Sequence, residues 1–379
     1  MDKIRNIVFL PSTEIHVDNF MPVIQEIKKQ TNYNVEMLSI PILISRAIDF
    51  EKIKNQVKVI HIPGIWKEIK QQLKLNCFKS SDGLLVIGSD SSIIKKSVIR
   101  FAKKKKYKVV LLQDGWLEKE NINRPIKYHD NYLKYFIRHA IAHNFSPIKN
   151  FRTGFIGQNS DYHFVYSEFS KNEFIQSGIK NSNIVVTGSP RHQLLKIENK
   201  NTSDSNRLII NNLVYFSTIE TNEQDRNEIV NTFASLKKSL ENIYKQNYQL
   251  IIKCHPSESS EKYNSYLNEN IRIFKGTTEE LLSHNKFDIA FSYNSTVILE
   301  ISMKKTPVIQ LVPKTRNIND SAYFKELASG TTENELTSIL QKKEFLNKKI
   351  SPYYLADFDQ NHDSVNSIIK NLFNLFKDK

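Results

Sequence analysis

Short apolar runs alternate along the chain with stretches whose apolar residues recur every three or four positions. Residues 5–11 (RNIVFLP) read as a buried strand, STEIHVDN as a polar loop, and MPVIQEIKKQ as a helix with Val23, Ile24 and Ile27 on one face. VEMLSI, VKVIHI, GLLVIG and YKVVLLQDG read as further strands, and SDSSIIKKSVIRFAKKKK as the helix between the last two. SDYHFVYSEFSKNEFIQSGIKNSNIVVTGSPRHQLL repeats the pattern, with a helix ending at Gly178 and a turn at Gly188-Ser189-Pro190. KIENKNTSDSNR (196–207) then has a single apolar residue and reads as a linker or long loop. Beyond it LIINNLVYFST, YQLIIKCHP, IRIFKG, DIAFSYNST and PVIQLVP are strands; NEIVNTFASLKKSLENIY, TTEELLSHN and 297–303 are helices. Buried strands alternating with amphipathic helices imply parallel sheets covered on both faces. The expectation is an α/β protein with a domain over 1–198, a second over 199–355, a cleft between them, and a C-terminal helix within 356–379 that packs back across the first.

Composition narrows the class. With 40% hydrophobic and 25% charged residues the chain has the balance of a folded soluble protein. No apolar run approaches the roughly 18 residues of a membrane span, and MDKIRNIVFLPSTE lacks a signal peptide's apolar core, so a cytoplasmic location is expected. Cys77 and Cys254 are the only cysteines and lack metal-ligand spacing, which argues against a disulfide framework or a metal site. Cys254 and His255 are neighbours on a strand and point to opposite faces, so Cys254 reads as core.

The net charge of +14 lies wholly within residues 1–200; Lys and Arg balance Asp and Glu over 201–379. No nucleic-acid recognition motif accompanies the charge. An anionic membrane surface or an acidic acceptor fits it instead, placing the protein at the inner face of the cytoplasmic membrane. Residues 131–152 interleave aromatics with Lys134, Arg138, Lys149 and Arg152, either as an interfacial patch or as an amphipathic helix facing the core.

Candidate chemistry gathers at strand ends, where parallel sheets bind ligands. In 249–301 the two corners are Lys253-Cys254-His255-Pro256 and Asn294-Ser295-Thr296, and together they suit the nucleotide half of an activated sugar. Ser295 and Thr296 stand at a helix start suited to phosphate, or simply cap it. Glu300, one turn on, can accept from ribose hydroxyls. His255 can donate to a phosphate oxygen and, if protonated, offset charge on a leaving nucleotide; Lys253 can share that charge. Asp114, in Gln113-Asp114-Gly115 at the end of YKVVLL, is a candidate general base or an ordinary Asp-Gly turn. His16, Asp18, Ser89 and Gln113 are candidates for the acceptor side, and Ser189 for the nucleotide.

Taken together, Gln113-Asp114-Gly115, His255-Pro256 and Ser295-Thr296 resemble the acidic-acidic-glycine, His-Pro and Ser-Ser/Thr elements of bacterial sialyltransferases and polysialyltransferases of the GT-B fold. The stretch SDYHFVYSEFSKNEFIQSGIKNSNIVVTGSPRH also looks like the matching segment of wider GT-B relatives, among them capsule and cell-wall glycosyltransferases, CDP-glycerol transferases and UDP-N-acetylglucosamine 2-epimerases. The resemblance spans residues 80–315. It implies two Rossmann-like domains and an inverting, metal-independent transferase without a cofactor, carrying a sugar from a CMP-activated nonulosonic acid to a glycan or lipid-linked acceptor. Asp114 would be the base, His255 would bind the CMP phosphate or assist its departure, and Ser295 and Thr296 would hold the phosphate. Gln113 stands where the resemblance expects an acid, and UDP- or CDP-linked donors remain open. The rival readings are a UDP-sugar 2-epimerase, a CDP-glycerol-type phosphotransferase, and a non-catalytic protein that binds nucleotide sugars or polyanions.

Overall fold

A computed structural model describes residues 5–44, 48–64, 66–73, 77–78, 82–90, 93–115, 159–193, 212–218, 223–245, 248–255, 258–283, 287–293, 295–316 and 324–377. The expectations for 131–152, 196–207, Pro256 and Asn294 lie outside these residues. The chain divides into two compact units, Met1–Leu194 with Pro352–Lys379, and Leu195–Ser351. Among the described residues no helix is long and apolar enough to cross a membrane.

The first unit holds a seven-stranded parallel sheet in the order β3-β2-β1-β4-β5-β6-β7. Its strands are β1 (Asn6–Leu10), β2 (Asn34–Ser39), β3 (Lys58–His61), β4 (Gly83–Ile87), β5 (Tyr107–Leu112), β6 (Tyr162–Val165) and β7 (Ile184–Val186). Phe9 of β1 faces Met37 on one side and Val86 on the other. Alternate residues feed two separate cores. Val8, Leu10, Leu85 and Leu111 pack with Val98, Ile99 and Ala102 of α3 (Ile93–Lys104) and Phe174 of α4 (Glu168–Gln176). Ile7, Phe9, Val86 and Val110 pack with Phe20, Ile24 and Ile27 of α1 (Glu14–Gln30). A sheet buried on both faces needs nearly continuous apolar strands, as the central β1 and β4 are, while the edge strand β3 is partly exposed. Between β3 and β4 lies α2 (Trp66–Gln72).

Helix α1 begins earlier than its sequence suggests. STEIHVDN reads as a loop, yet the Thr13 side chain accepts from the His16 N–H and caps a helix that starts at Glu14 and runs through Pro22. Val17, Phe20, Met21, Ile24 and Ile27 form the buried stripe, and packing along it outweighs the one helical hydrogen bond that Pro22 cannot make. The shift places His16 on a helix.

The second unit repeats the plan with six parallel strands in the order β10-β9-β8-β11-β12-β13. These are β8 (Asn212–Phe216), β9 (Gln249–Lys253), β10 (Ile271–Ile273), β11 (Ile289–Ser292), β12 (Val308–Leu311) and β13 (Ala328–Gly330). Leu213, Tyr215, Leu250, Ile252 and Phe291 meet Phe233, Leu236 and Leu240 of α5 (Glu223–Tyr244) and Leu336 and Leu340 of α8 (Glu333–Lys342). Two short helices, α6 (Thr278–Ser283) and α7 (Val297–Met303), complete the crossovers. Neither β13 nor α8 stands out in the apolar pattern, although Thr332 and Glu335 form a capping box readable from their spacing. The chain then returns to the first unit, where Ile368, Ile369 and Leu372 of α9 (Ser364–Asn374) join the α1 core.

Phe233 is fully buried and its ring centroid lies 5.3 Å from that of Phe291. Phe233→Ala is expected to cost about 3–5 kcal/mol of stability, from lost burial and the cavity left behind; denaturant unfolding followed by tryptophan-independent circular dichroism measures it.

Candidate functional site

Each sheet reverses its winding once, and the loops at the carboxyl ends of the strands flanking that point are where open α/β sheets take ligands. In the first unit the reversal falls between β1 and β4, in the second between β8 and β11.

At the first point His16 is the organising side chain. It is 1% exposed. The Ser12 backbone N–H donates to Nδ1 at 2.9 Å, so the neutral ring carries its proton on Nε2, which stands 2.5 Å from Asp114 Oδ2. Phe20 stacks on the ring at 6.0 Å. Gly88, just past β4, leaves the ring its space, since a Cβ there would lie 2.2 Å from His16 Cδ2.

The Asp114 side chain is 27% exposed. Burial pushes its pKa up, but the His16 contact and the charge of Lys95 outweigh that, and the carboxyl is held below its ordinary value. It is therefore an anion at neutral pH with an accessible edge. Lys95, on α3, is 8% exposed; burial lowers its pKa, against the pull of Asp114 and Asp90. Asp90 is fully buried and accepts from the Asn159 N–H at 2.9 Å.

Several acceptor-side expectations change here. Both ring nitrogens of His16 are engaged, by Ser12 and by Asp114, so His16 supports Asp114. Gln113 is 3% exposed: its Oε1 accepts from the Tyr166 N–H at 2.9 Å, and its Nε2 donates to Gly115 O at 2.8 Å and Ser170 Oγ at 3.1 Å. Only an amide both donates and accepts in this way, which accounts for Gln where an acid was expected. Asp18 is exposed and, two positions beyond His16 on α1, points away from it. Ser89 is half-buried between Gly88 and Asp90. Ser189 is corrected most plainly. It is fully buried in the first unit, its N–H donating to Asp357 at 2.7 Å and its hydroxyl to Asn19 at 3.1 Å, so it fastens α1 to the returning C-terminal segment.

Among the described residues, several exposed cations lie away from this corner. Arg100, Lys103, Lys104 and Lys106 are exposed towards the end of α3, and that end leads into the amino end of β5. Asp114 follows the other end of the strand, roughly 20 Å away.

At the second point, strands β8 and β9 bring Ser217 beneath the His255 loop. The His255 N–H donates to Ser217 Oγ at 2.7 Å, and Ser217 in turn donates to Glu258 at 2.6 Å. Glu258 also accepts from Tyr263 at 2.9 Å, and its side chain is 3% exposed. Lys253 ends β9, is 8% exposed and donates to Cys254 O at 3.2 Å; burial lowers its pKa. Burial and Glu258 push the Cys254 thiol up to about 11, so it stays protonated, as a core cysteine should.

Ser295, Thr296 and Glu300 are half-buried. Val297 N–H donates to Ser295 Oγ at 3.4 Å, whereas the Thr296 side chain makes no capping bond. The helix they open, α7, is only seven residues long, so its dipole is small and the hydroxyls themselves are the useful groups. Next to this corner Arg316 lies 5.7 Å over the Tyr293 ring and is gripped by Asp225 at 3.0 and 3.1 Å.

Ser12, Lys95, Ser217 and Glu258 belong to these corners without having been singled out by sequence. Ser217-Thr218 closes a strand just as Ser295-Thr296 does, and that signal was readable. Nothing in the sequence marks Lys95, one lysine in a lysine-rich helix.

No protein-family model and no curated protein matches the chain. Solved structures do. The UDP-GlcNAc 2-epimerase of Neisseria meningitidis bound to UDP-GlcNAc aligns with a TM-score of 0.61 and 16% identity over 98% of this chain and 100% of its own. The UDP-GlcNAc 2-epimerase of Methanocaldococcus jannaschii gives 0.59 and 17%, over 98% and 100%. The wall teichoic acid polymerase TagF, soaked with CDPG, gives 0.53 and 13%, over 98% and 88%. At such identities the likeness is one of fold: two Rossmann-like domains of the GT-B class.

Two measurements probe the first corner. Gly88→Ala forces the His16 ring off its seat and is expected to cost about 1–3 kcal/mol in denaturant unfolding. Because the folded-state pKa of Asp114 is lowered, its ionisation stabilises the fold above the ordinary value of 3.8, and that contribution fades as pH falls through the lowered one. Asp114→Asn should therefore melt below wild type at neutral pH, and the gap should close in acid.

Proposed function

We propose that this chain is a transferase that moves a sugar or polyol phosphate from a nucleotide-linked donor to a hydroxyl acceptor, the first domain taking the acceptor and the second the nucleotide. The observation that carries the reading is the His16–Asp114 pair at the winding reversal of the first sheet. A carboxylate kept ionised and oriented by the His16 imidazole is a general base of the kind direct displacement requires. Asp114 takes the acceptor proton as the acceptor oxygen bonds to the donor centre, and the bond from that centre to the nucleotide phosphate breaks. In the second domain His255, Lys253, Ser295 and Thr296 receive the phosphate charge that develops.

UDP-linked sugars and CDP-glycerol are the favoured donors, since structures of similar fold hold UDP-GlcNAc or were soaked with CDPG. The CMP-linked nonulosonic acid rests on the short motifs alone. A second reading, a UDP-sugar 2-epimerase, draws support from Asp90 and Lys95, which add a carboxylate and an ammonium beside Asp114.

The two readings part in one experiment. UDP-GlcNAc incubated in D2O without acceptor acquires deuterium at C2 if the chain is an epimerase, and stays unchanged if it is a transferase. For the transferase, a thermal-shift panel of CMP, CDP and UDP selects the donor class. Asp114→Asn is expected to lower turnover by about 10²–10⁴-fold with nucleotide affinity kept. A wild-type rate in that variant would move the base elsewhere.

A further inference from the structure

At the carboxyl end of β8 the second domain buries a guanidinium nitrogen that has no hydrogen-bond partner among the described residues. Arg226, in the first turn of α5, is 8% exposed, and its Nε has no partner among the described residues. The nearest carboxylates, Glu223 and Glu258, both stand at 4.0 Å. That is outside the roughly 2.7–2.9 Å of a charge-assisted hydrogen bond, so the pair supplies charge balance and leaves the donors unfilled.

Glu258 is committed to Ser217 and Tyr263. At 4.0 Å it balances the Arg226 charge without a directional hold on it. The Tyr215 hydroxyl, within the electrostatic reach of Arg226, is likewise buried without a partner; burial, Tyr263 and Glu258 raise its pKa well above the usual value, so it remains a neutral donor. A buried guanidinium Nε–H and a buried phenol, both without a partner among the described residues, mark a place that lacks acceptor oxygens.

The location points to which oxygens. Ser217 and the His255 loop, joined by a 2.7 Å hydrogen bond, share Glu258 with Arg226. This is the corner beside the β8–β11 reversal, where the ligand of a parallel sheet belongs. A phosphate presents oxygens at the spacing of the guanidinium fork, and a lysine in the same place would match only its charge. We propose that Arg226 binds the phosphate of the nucleotide-linked substrate. The inference rests on the second domain being the nucleotide domain, and it adds to that reading the residue that grips the anion.

Isothermal titration of the full chain tests it, with CDP, UDP, CMP and inorganic pyrophosphate as probes and cytidine and uridine as phosphate-free controls. Arg226→Gln is expected to weaken the nucleotides and pyrophosphate by roughly 30-fold or more, as for a buried charge partner, and to leave the nucleosides unchanged. Arg226→Lys, which keeps the charge, should fall between. Nucleotide binding by wild type that persists undiminished in Arg226→Gln overturns the proposal. If that variant does not fold, equal affinity and equal salt dependence in Arg226→Lys overturn it. Absence of nucleotide binding by wild type is a separate outcome, which removes the nucleotide reading and this inference with it.

Discussion

The Ser12 backbone N–H donates into Nδ1 of His16, which leaves the ring proton on Nε2, facing Asp114. The geometry of the first domain's strand-end corner depends on this pair of contacts. A main-chain donor has no rotamer to choose, so the tautomer is set by the fold and the carboxylate always meets a donor. Several features of the sequence serve the same end. Thr13 starts α1 soon enough to put the ring on a helix, Phe20 covers it, and Gly88 leaves room beneath it. Asp114 is thereby ionised and aimed, and an exposed Asp-Gly turn would be only the first of these.

The second domain applies the same topology to a different task. Parallel strands end together, and at their carboxyl ends the chain must find side-chain partners for loops that leave the sheet. Ser217 and Glu258 do so for the His255 loop, in a network whose acidic member is almost wholly buried. Buried polar groups that are satisfied hold a loop rigidly. Arg226, buried beside them and unsatisfied, is the exception within that network, and exceptions of this kind tend to lie where a ligand completes the set.

Among the described residues, one cluster of exposed cations stands apart from Asp114. The exposed cations at the end of α3 lie roughly a strand length from Asp114, about two screening lengths at physiological ionic strength. They can draw an anionic partner to the protein surface. Asp114 is held below its ordinary pKa by His16 and then by Lys95, which the composition does not distinguish from its neighbours.

The amino-acid sequence determined by itself the elements that depend on local periodicity. Apolar strands alternating with amphipathic helices require parallel sheets with both faces covered, and the two sheets are of that kind. It also located strand-end corners at Asp114, His255 and Ser295, since the residue types that suit loops and ligands fall just after apolar runs. Shorter pieces were less legible: β13 has three residues, too few to show a period. Tertiary structure alone decided which polar residues are used internally. Gln113 and Ser189 look like site residues in the sequence, yet hydrogen bonds to segments far along the chain bury them. His16 looked like an acceptor contact until a residue 98 positions away took its Nε2. A hydrogen-bond partner at such distance leaves no local pattern, so the role of a polar side chain is fixed only when the fold supplies its neighbours.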